Sequence, residues 1–396
     1  MTKSVRRALT PVSWKDVNIA DAFWAPRLRV NHTATLPAVY EAMQRAGHIG
    51  AWRLDWKPGM PKMPHIFWDS DLAKWLEAVA YSMVIHPDPK LESMADEVIG
   101  LIAAAQQPDG YLNSHFIVVE PEKRWTNLGH DHELYCAGHL IEAAAAYFEA
   151  TGKRKFLDLV CRYADCIDRT FGVEPGKKRG YCGHEEIELA LVKLYRVTGE
   201  KRYLNLARYF IDERGRPPCY FDTEAIARGE DLANPARFLF NLQYAQAHKM
   251  VREQTEAVGH AVRAMYLYCA MADVAGETGD DGLLKACRTI WADVTRKKMY
   301  ITGGLGQTNA DEGFTTAYNL PNDGAYCETC GACGLVFWAH RMLQVDPNGE
   351  YADVMERALY NNLLSCVSAD GRSFFYENKL ATRGEYHRQA YYGCSC

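Results

Sequence analysis

The sequence has no apolar run approaching the roughly 20 residues that a membrane-spanning helix requires. Its first residues, MTKSVRRALTPVSWKDV, include basic side chains but not the apolar segment of a secretory signal. It also lacks a surplus of basic residues, because 45 Lys and Arg stand against 50 Asp and Glu, for a net charge of −5. We therefore expect a cytoplasmic protein whose partner is neither a membrane nor a nucleic acid.

The composition is that of a soluble globular chain, since 48% of the 396 residues are hydrophobic and 24% are charged. Most of the 13 cysteines are scattered singly through segments with helical periodicity, where a thiol behaves as a small buried hydrophobe. In a reducing compartment we expect most of them to be free thiols. Only CETCGAC (Cys327, Cys330 and Cys333) and the terminal CSC (Cys394 and Cys396) indicate a further role.

Helical hairpins dominate the chain. Five segments with apolar residues at i, i+3, i+4 and i+7 are each followed by a second segment of the same kind. The joints within these pairs are short, at residues 86–89, 151–153, 198–200, 278–280 and 346–349, and in the four that contain Gly this residue supplies a left-handed helix C-cap. With a further helix near HTATLPAVYEAMQRAG, the pattern predicts an all-α closed ring of about six hairpins; an open solenoid is the alternative.

The segments that lead from one pair to the next are long and rich in Gly, Pro, Trp and Tyr. Because the first helices of successive hairpins run parallel, their N-termini and these long loops should gather at one end of the ring, where sites usually lie. Several polar residues stand at that end, which predicts a shared pocket: His132, Glu133, His184, Glu185, Glu186, His260 (one turn into its helix), Glu312, Glu328 and Cys330.

Each of these residues taken singly is better explained as a helix cap or as a charge that complements the helix dipole. His139, one turn after His132, is expected in the core. Cys327 and Cys330 stand at i and i+3, one helical turn apart, and make a zinc half-site in which Glu328 is also a legitimate ligand. The terminal CSC would supply the other half; three incidental thiols are the alternative on spacing alone.

Several long motifs resemble one enzyme family. HDHELYCAGHLIEAAAAYFEATGK, GYCGHEEIELALVKLYRVTGE, MYITGGLGQTNADEGFT, YNLPNDGAYCETC and YYGCSC are similar to segments of the beta-L-arabinofuranosidase family, glycoside hydrolase family 127. The similarity covers essentially the whole chain. It implies an (α/α)6-barrel catalytic domain over residues 1–396, with a short N-terminal extension at about 1–30.

The resemblance also implies residue roles. Glu312 matches the general acid/base, and Cys396 matches a cysteine that is both nucleophile and zinc ligand. Glu328 and Cys330 match two further zinc ligands. Residues that contact the sugar are matched by His132, His184, His260 and Tyr376. The implied activity is retaining release of L-arabinofuranose from a small arabinofuranosyl saccharide or glycoside, with Zn²⁺ as cofactor and a homodimer as the candidate assembly.

One departure from the family pattern concerns the end of the chain. The family has a further Cys directly after the nucleophile as fourth zinc ligand, followed by Pro-rich sequence and one or more β-sandwich domains. We therefore expect a truncated polypeptide; otherwise Cys394, Cys327 or water fills the fourth position. Three other functions remain open: a related glycosidase acting on an acidic pectin side-chain sugar, a sugar 2-epimerase, and a non-catalytic sugar-binding or scaffold protein.

Overall fold

A computed structural model describes residues 7–239 and 241–393. The barrel helices in this part of the chain are α1 (Trp24–Val30), α2 (Leu36–Ala46), α3 (Trp68–Ile85), α4 (Pro89–Ala105), α5 (Glu133–Thr151), α6 (Lys155–Thr170), α7 (Ile187–Thr198), α8 (Lys201–Glu213), α9 (Ala261–Thr278), α10 (Asp281–Asp293), α11 (Thr329–Val345) and α12 (Gly349–Arg357).

Short helical segments connect or extend these helices. The α-helical ones are His48–Ala51, Ser114–Val118, Tyr220–Ala227 and Leu364–Cys366, and the 3₁₀ turns are Trp14–Asp16, Pro121–Lys123, Leu242–Ala245 and Val251–Glu253. Wider π-helical turns occur at Asn31–Thr35, Val294–Lys298 and Ala358–Leu363. In the described residues β-pairing is confined to isolated bridges. No helix there is both long and apolar enough to cross a bilayer.

The five hairpins divide into inner and outer helices. The inner helices α3, α5, α7, α9 and α11 contact one another in chain order. In α9 every residue from 261 to 276 is buried, so this helix is enclosed on all sides. In α6, by contrast, apolar residues such as Phe156, Val160 and Tyr163 recur on one face, as expected for an outer helix that covers the inner ring.

Three joints confirm the predicted glycine C-caps. Gly152, Gly199 and Gly279 have φ of 73°, 77° and 72°, and the threonine before each donates its hydroxyl to a carbonyl four residues earlier at 2.7 Å. The prediction is wrong at Gly349, which is the first residue of α12. There Asn348 caps the second helix by accepting the Glu350 N–H at 3.0 Å.

Contacts between the two ends of the chain close the ring. The Trp24 indole N–H donates to the Tyr360 hydroxyl at 2.9 Å, and the Thr35 hydroxyl donates to the Gly371 carbonyl at 2.8 Å. The helix α2 in turn contacts α3. The predicted all-α (α/α)6 barrel is therefore confirmed, and the open solenoid is excluded.

Candidate active site

The inner helices begin at one end of the barrel, and three of their N-caps are predicted site residues. His132, His260 and Glu328 are the N-cap residues of α5, α9 and α11, and His184 lies two residues before the N-cap of α7. The prediction that His260 lies one turn into its helix is wrong, because that helix begins at residue 261.

The structure brings the three predicted sugar-contacting histidines together. The ring centroids of His132 and His184 are 5.8 Å apart, and those of His184 and His260 are 5.5 Å apart. Burial lowers the pKa of His132 and of His184 well below 6.5, and the nearby Arg263 guanidinium lowers both further. These rings are therefore neutral at pH 7, so each has one N–H donor and one acceptor nitrogen.

The proton position on His260 follows from its role as a helix cap. Its Nδ1 accepts the backbone N–H groups of Val262 at 3.2 Å and Arg263 at 3.4 Å, so the proton lies on Nε2. That Nε2–H donates to Glu312 Oε2 at 2.9 Å, and the Tyr326 hydroxyl donates to Glu312 Oε1 at 3.0 Å. These hydrogen bonds, that of His260 above all, lower the pKa of Glu312 although the carboxyl is partly buried.

The loop that carries Glu312 is fastened to the start of α9. The Ala261 N–H donates to the Glu312 carbonyl at 3.0 Å, and the Phe314 N–H donates to the Gly259 carbonyl at 2.9 Å. Glu312 has φ of 50°, a left-handed conformation that costs free energy for a residue other than glycine. The backbone pairing holds this conformation and places the carboxylate beside His260.

A second group joins the start of α11 to the segment near residue 376. The Thr329 N–H donates to the Tyr376 carbonyl at 2.9 Å, which lays the two segments side by side. Glu328 is 3% exposed, and its Oε2 is buried without a hydrogen-bond partner. Burial raises the pKa of Glu328 to about 7, although hydrogen bonds with the side chains of Tyr376 and Cys330 act in the opposite direction.

This group fits one part of a zinc site. A buried carboxylate and a neighbouring thiol, Glu328 and Cys330, are donor types that zinc accepts, and the unpartnered Oε2 leaves an oxygen for a cation. The third predicted ligand, Cys396, lies outside the described residues, as does Cys394. Among residues 7–239 and 241–393, three closely grouped metal-ligating side chains occur only at His139, Glu142 and Glu186.

Cys327 does not share a helical turn with Cys330, so that prediction is wrong. The helix begins at Thr329, and Cys327 precedes it with φ of 43°. Its side chain packs with Tyr300 and Ala325 in a small cluster apart from the main core. The eleven cysteines of the described residues are all free thiols, as predicted.

His139 is a core residue, as predicted. It is 4% exposed, and its ring lies 4.6 Å from that of Tyr135, which in turn lies 4.3 Å from that of His184. Its Nδ1 is 3.3 Å from Glu186 Oε1. His139 therefore packs against Tyr135, and Tyr135 in turn packs against His184.

Sequence reasoning missed two residues that shape the site. Arg263, which is 3% exposed, donates through Nη1 to the Gly183 carbonyl and lies 4.7 Å from the centre of the Tyr244 ring. It thereby links the first turn of α9 to the loop that carries His184. Tyr326 fixes the second oxygen of Glu312. Arg263 stands three residues after His260, which is the sequence signal that could have indicated it.

Residues 16–396 match the family described as beta-L-arabinofuranosidase, GH127 catalytic domain. The chain is 41% identical over 347 residues to the non-reducing end beta-L-arabinofuranosidase of Bifidobacterium longum subsp. longum, across 84% of this chain and 53% of that protein. It therefore spans about half the length of this curated relative.

Solved structures agree with this match. A GH127 beta-L-arabinofuranosidase from Geobacillus stearothermophilus T6 superimposes with a TM-score of 0.92 at 50% identity, over 96% of this chain and 63% of that one. A cellobiose 2-epimerase from Spirochaeta thermophila gives a TM-score of 0.50 at 14% identity, over 90% of this chain and 94% of that one, and shows the shared fold alone. Sequence and fold together establish that this chain belongs to the beta-L-arabinofuranosidase GH127 catalytic domain family.

Proposed function

We propose that this protein is a retaining glycoside hydrolase that releases L-arabinofuranose from the non-reducing end of beta-L-arabinofuranosides. The family match and the names of the two similar enzymes support the reaction and the sugar. The observation that carries the proposal is the carboxylate of Glu312, held by His260 and Tyr326 beside two further neutral histidines. This arrangement offers one proton-transfer group and several groups that hydrogen-bond sugar hydroxyls.

His132, His184 and His260 are the proposed ligands of the arabinofuranose ring. A neutral imidazole can donate to one hydroxyl and accept from another, which suits an uncharged sugar. His184 and His260 are buried, so little water competes for their hydrogen bonds. Tyr376 is proposed to contact the sugar or to support the nucleophile.

In the first step, the sulfur of Cys396 forms a bond to the anomeric carbon as the bond from that carbon to the leaving oxygen breaks, and Glu312 gives its proton to the leaving oxygen. In the second step, water attacks the same carbon, Glu312 takes a proton from the water, and the carbon–sulfur bond breaks to regenerate the thiolate. Two successive displacements retain the anomeric configuration.

The low pKa of Glu312 in the free protein suits its role as the base of the second step. The first step instead requires Glu312 in its protonated form. The hydrogen bond from His260 is the largest cause of that low pKa. A bound sugar hydroxyl that accepts the His260 Nε2–H in place of Glu312 would remove this cause. Substrate binding would thereby raise the pKa of Glu312 and favour its protonated form.

Glu328, Cys330 and Cys396 are the proposed ligands of a zinc ion. When bound, zinc lowers the pKa of a coordinating thiol, so that a cysteine can be a thiolate at neutral pH. Glu328 would contribute a buried carboxylate whose Oε2 has no hydrogen-bond partner in the protein.

The direct test of the nucleophile is an assay of Cys396→Ser on p-nitrophenyl beta-L-arabinofuranoside, with Cys161→Ser, a free thiol on the outer helix α6, as the control. We expect Cys396→Ser to lose turnover and Cys161→Ser to keep it. Normal turnover by Cys396→Ser would show that this residue is not the nucleophile. Activity on a uronic-acid glycoside, or isomerisation of a free sugar, would favour the alternative sugar or the 2-epimerase.

We further infer a cytoplasmic setting and a homodimer. Fractionation of cells that express the protein tests the first of these. Sedimentation of the purified protein tests the second, and a monomer at micromolar concentration would contradict it.

A further inference from the structure

A cavity of about 570 Å³ opens between the loop before His132 and the long loop that joins α8 to α9. Its walls combine aromatic and hydrogen-bonding side chains, among them Asn127, His130, Phe221, Asn234, Arg237 and Phe238. None of these residues belongs to the group proposed to bind the arabinofuranose ring.

A row of rings connects the cavity to the proposed acid/base. The His130 and Phe238 ring centroids are 4.8 Å apart, those of Phe238 and Tyr244 are 5.4 Å apart, and those of Tyr244 and His260 are 5.6 Å apart. His260 is in turn the hydrogen-bond donor to Glu312. Phe238, in the cavity wall, is therefore linked through Tyr244 to the histidine that holds Glu312.

Hydrogen bonds and an ion pair hold the loops that form the cavity walls. Glu224 is 5% exposed and accepts the backbone N–H groups of Leu128 at 2.6 Å and Gly129 at 3.2 Å. The Arg237 side chain is 7% exposed and donates to Asp222 Oδ1 at 2.8 Å. Phe238 lines the cavity and is 48% exposed.

The chemistry of glycoside cleavage fixes what should occupy this place. The general acid protonates the leaving oxygen, so the leaving group must lie on the side of Glu312. We propose that the cavity binds the leaving sugar, a hydroxyl-rich saccharide unit that stacks on Phe238 and hydrogen-bonds to the surrounding polar side chains. This inference rests on the proposed function, because it names the second sugar of the same substrate.

The test compares two substrates that share the same arabinofuranose. One is a beta-L-arabinofuranosyl disaccharide with a second arabinofuranose as leaving group, and the other is methyl beta-L-arabinofuranoside, whose leaving group is too small to reach the cavity. For Phe238→Ala, we expect the ratio of kcat/KM between disaccharide and methyl glycoside to fall about two- to tenfold. Phe238→Tyr keeps a flat ring and should restore the wild-type ratio.

The matched control is Phe337→Ala, since Phe337 on α11 is also 48% exposed and does not line the cavity. It should leave the ratio unchanged. An unchanged ratio in Phe238→Ala, or an equal loss on both substrates, would overturn the cavity assignment and leave the proposed function intact. Failure of the wild-type protein to cleave either substrate would instead overturn the proposed function together with this inference.

Discussion

His260 Nε2 lies 2.9 Å from Glu312 Oε2, and the direction of this hydrogen bond is determined by the other side of the ring. Nδ1 is occupied as an acceptor for the first N–H groups of α9, so Nε2 must carry the proton. One side chain therefore caps a barrel helix and sets the protonation of the proposed acid/base. The two roles can be separated by mutation.

His260→Asn separates them because an asparagine oxygen can still cap α9 but is too short to reach Glu312. We expect His260→Asn to keep the thermal stability of the wild type while kcat/KM falls by about 10²-fold or more. His260→Ala should show the same loss of activity and in addition lose about 1 kcal/mol of unfolding free energy. Thermal denaturation and kinetics on the disaccharide measure the two effects. Wild-type kinetics in His260→Asn would show that this hydrogen bond has no catalytic role.

Tyr326→Phe should change the pH dependence of the reaction. The hydroxyl hydrogen bond to Glu312 favours the charged carboxylate, so its removal raises the pKa of Glu312. Since the first step needs the protonated acid, the alkaline limb of the kcat/KM profile should move to higher pH. Tyr318→Phe, an exposed tyrosine 71% accessible in the same loop, is the control and should not shift the profile. A shift to lower pH in Tyr326→Phe would contradict the assignment.

Gly183→Ala should displace the loops that carry His132 and His184, because the added methyl group has no room. A Cβ at residue 183 would overlap the carbonyl oxygens of Leu128 and Gly129, where the loops leading to His184 and His132 cross. We expect unfolding free energy to fall by about 1–3 kcal/mol and activity to fall with it. Gly349→Ala, where a Cβ meets nothing within 4 Å, should leave both unchanged. Chemical denaturation of the two variants checks this prediction.

Zinc content provides a test that does not depend on activity. Cys330→Ser and Glu328→Gln should each lower the zinc bound per chain, as measured by plasma emission spectrometry after dialysis. Cys366→Ser is the control for Cys330→Ser, because Cys366 is similarly buried, at 6% against 9% exposure, and is not a predicted ligand. Full zinc occupancy in both ligand variants would show that the metal lies elsewhere, and a wild type without stoichiometric zinc would show that the protein does not bind it.

The hairpins and the end of the barrel at which the site lies could be predicted from sequence, because both follow from local patterns. Apolar periodicity marks each helix, and pairs such as Thr151 and Gly152 mark the short joints. The contact between His260 and Glu312 could not be predicted in the same way. It joins residues 52 positions apart and depends on backbone pairing of the 312–314 segment with the start of α9.

The position of Cys327 shows a different limit. The spacing of CETC fits one helical turn, yet the helix starts only at Thr329 because Glu328 is its N-cap. Because the helix starts two residues after Cys327, the Cys327 side chain packs in a separate cluster with Tyr300 and Ala325. Spacing alone therefore could not distinguish a zinc ligand from a packing residue.

The most direct test of the central claim is the hydrolysis of a beta-L-arabinofuranosyl disaccharide, followed by NMR, in the wild type and in Glu312→Gln. The exposed Glu41→Gln, 68% accessible, is the control. We expect the wild type to release the β-anomer of L-arabinofuranose first, and Glu312→Gln to be slower by about 10²- to 10⁴-fold. Initial release of the α-anomer, or an unchanged rate in Glu312→Gln, would contradict a retaining mechanism with Glu312 as its acid/base.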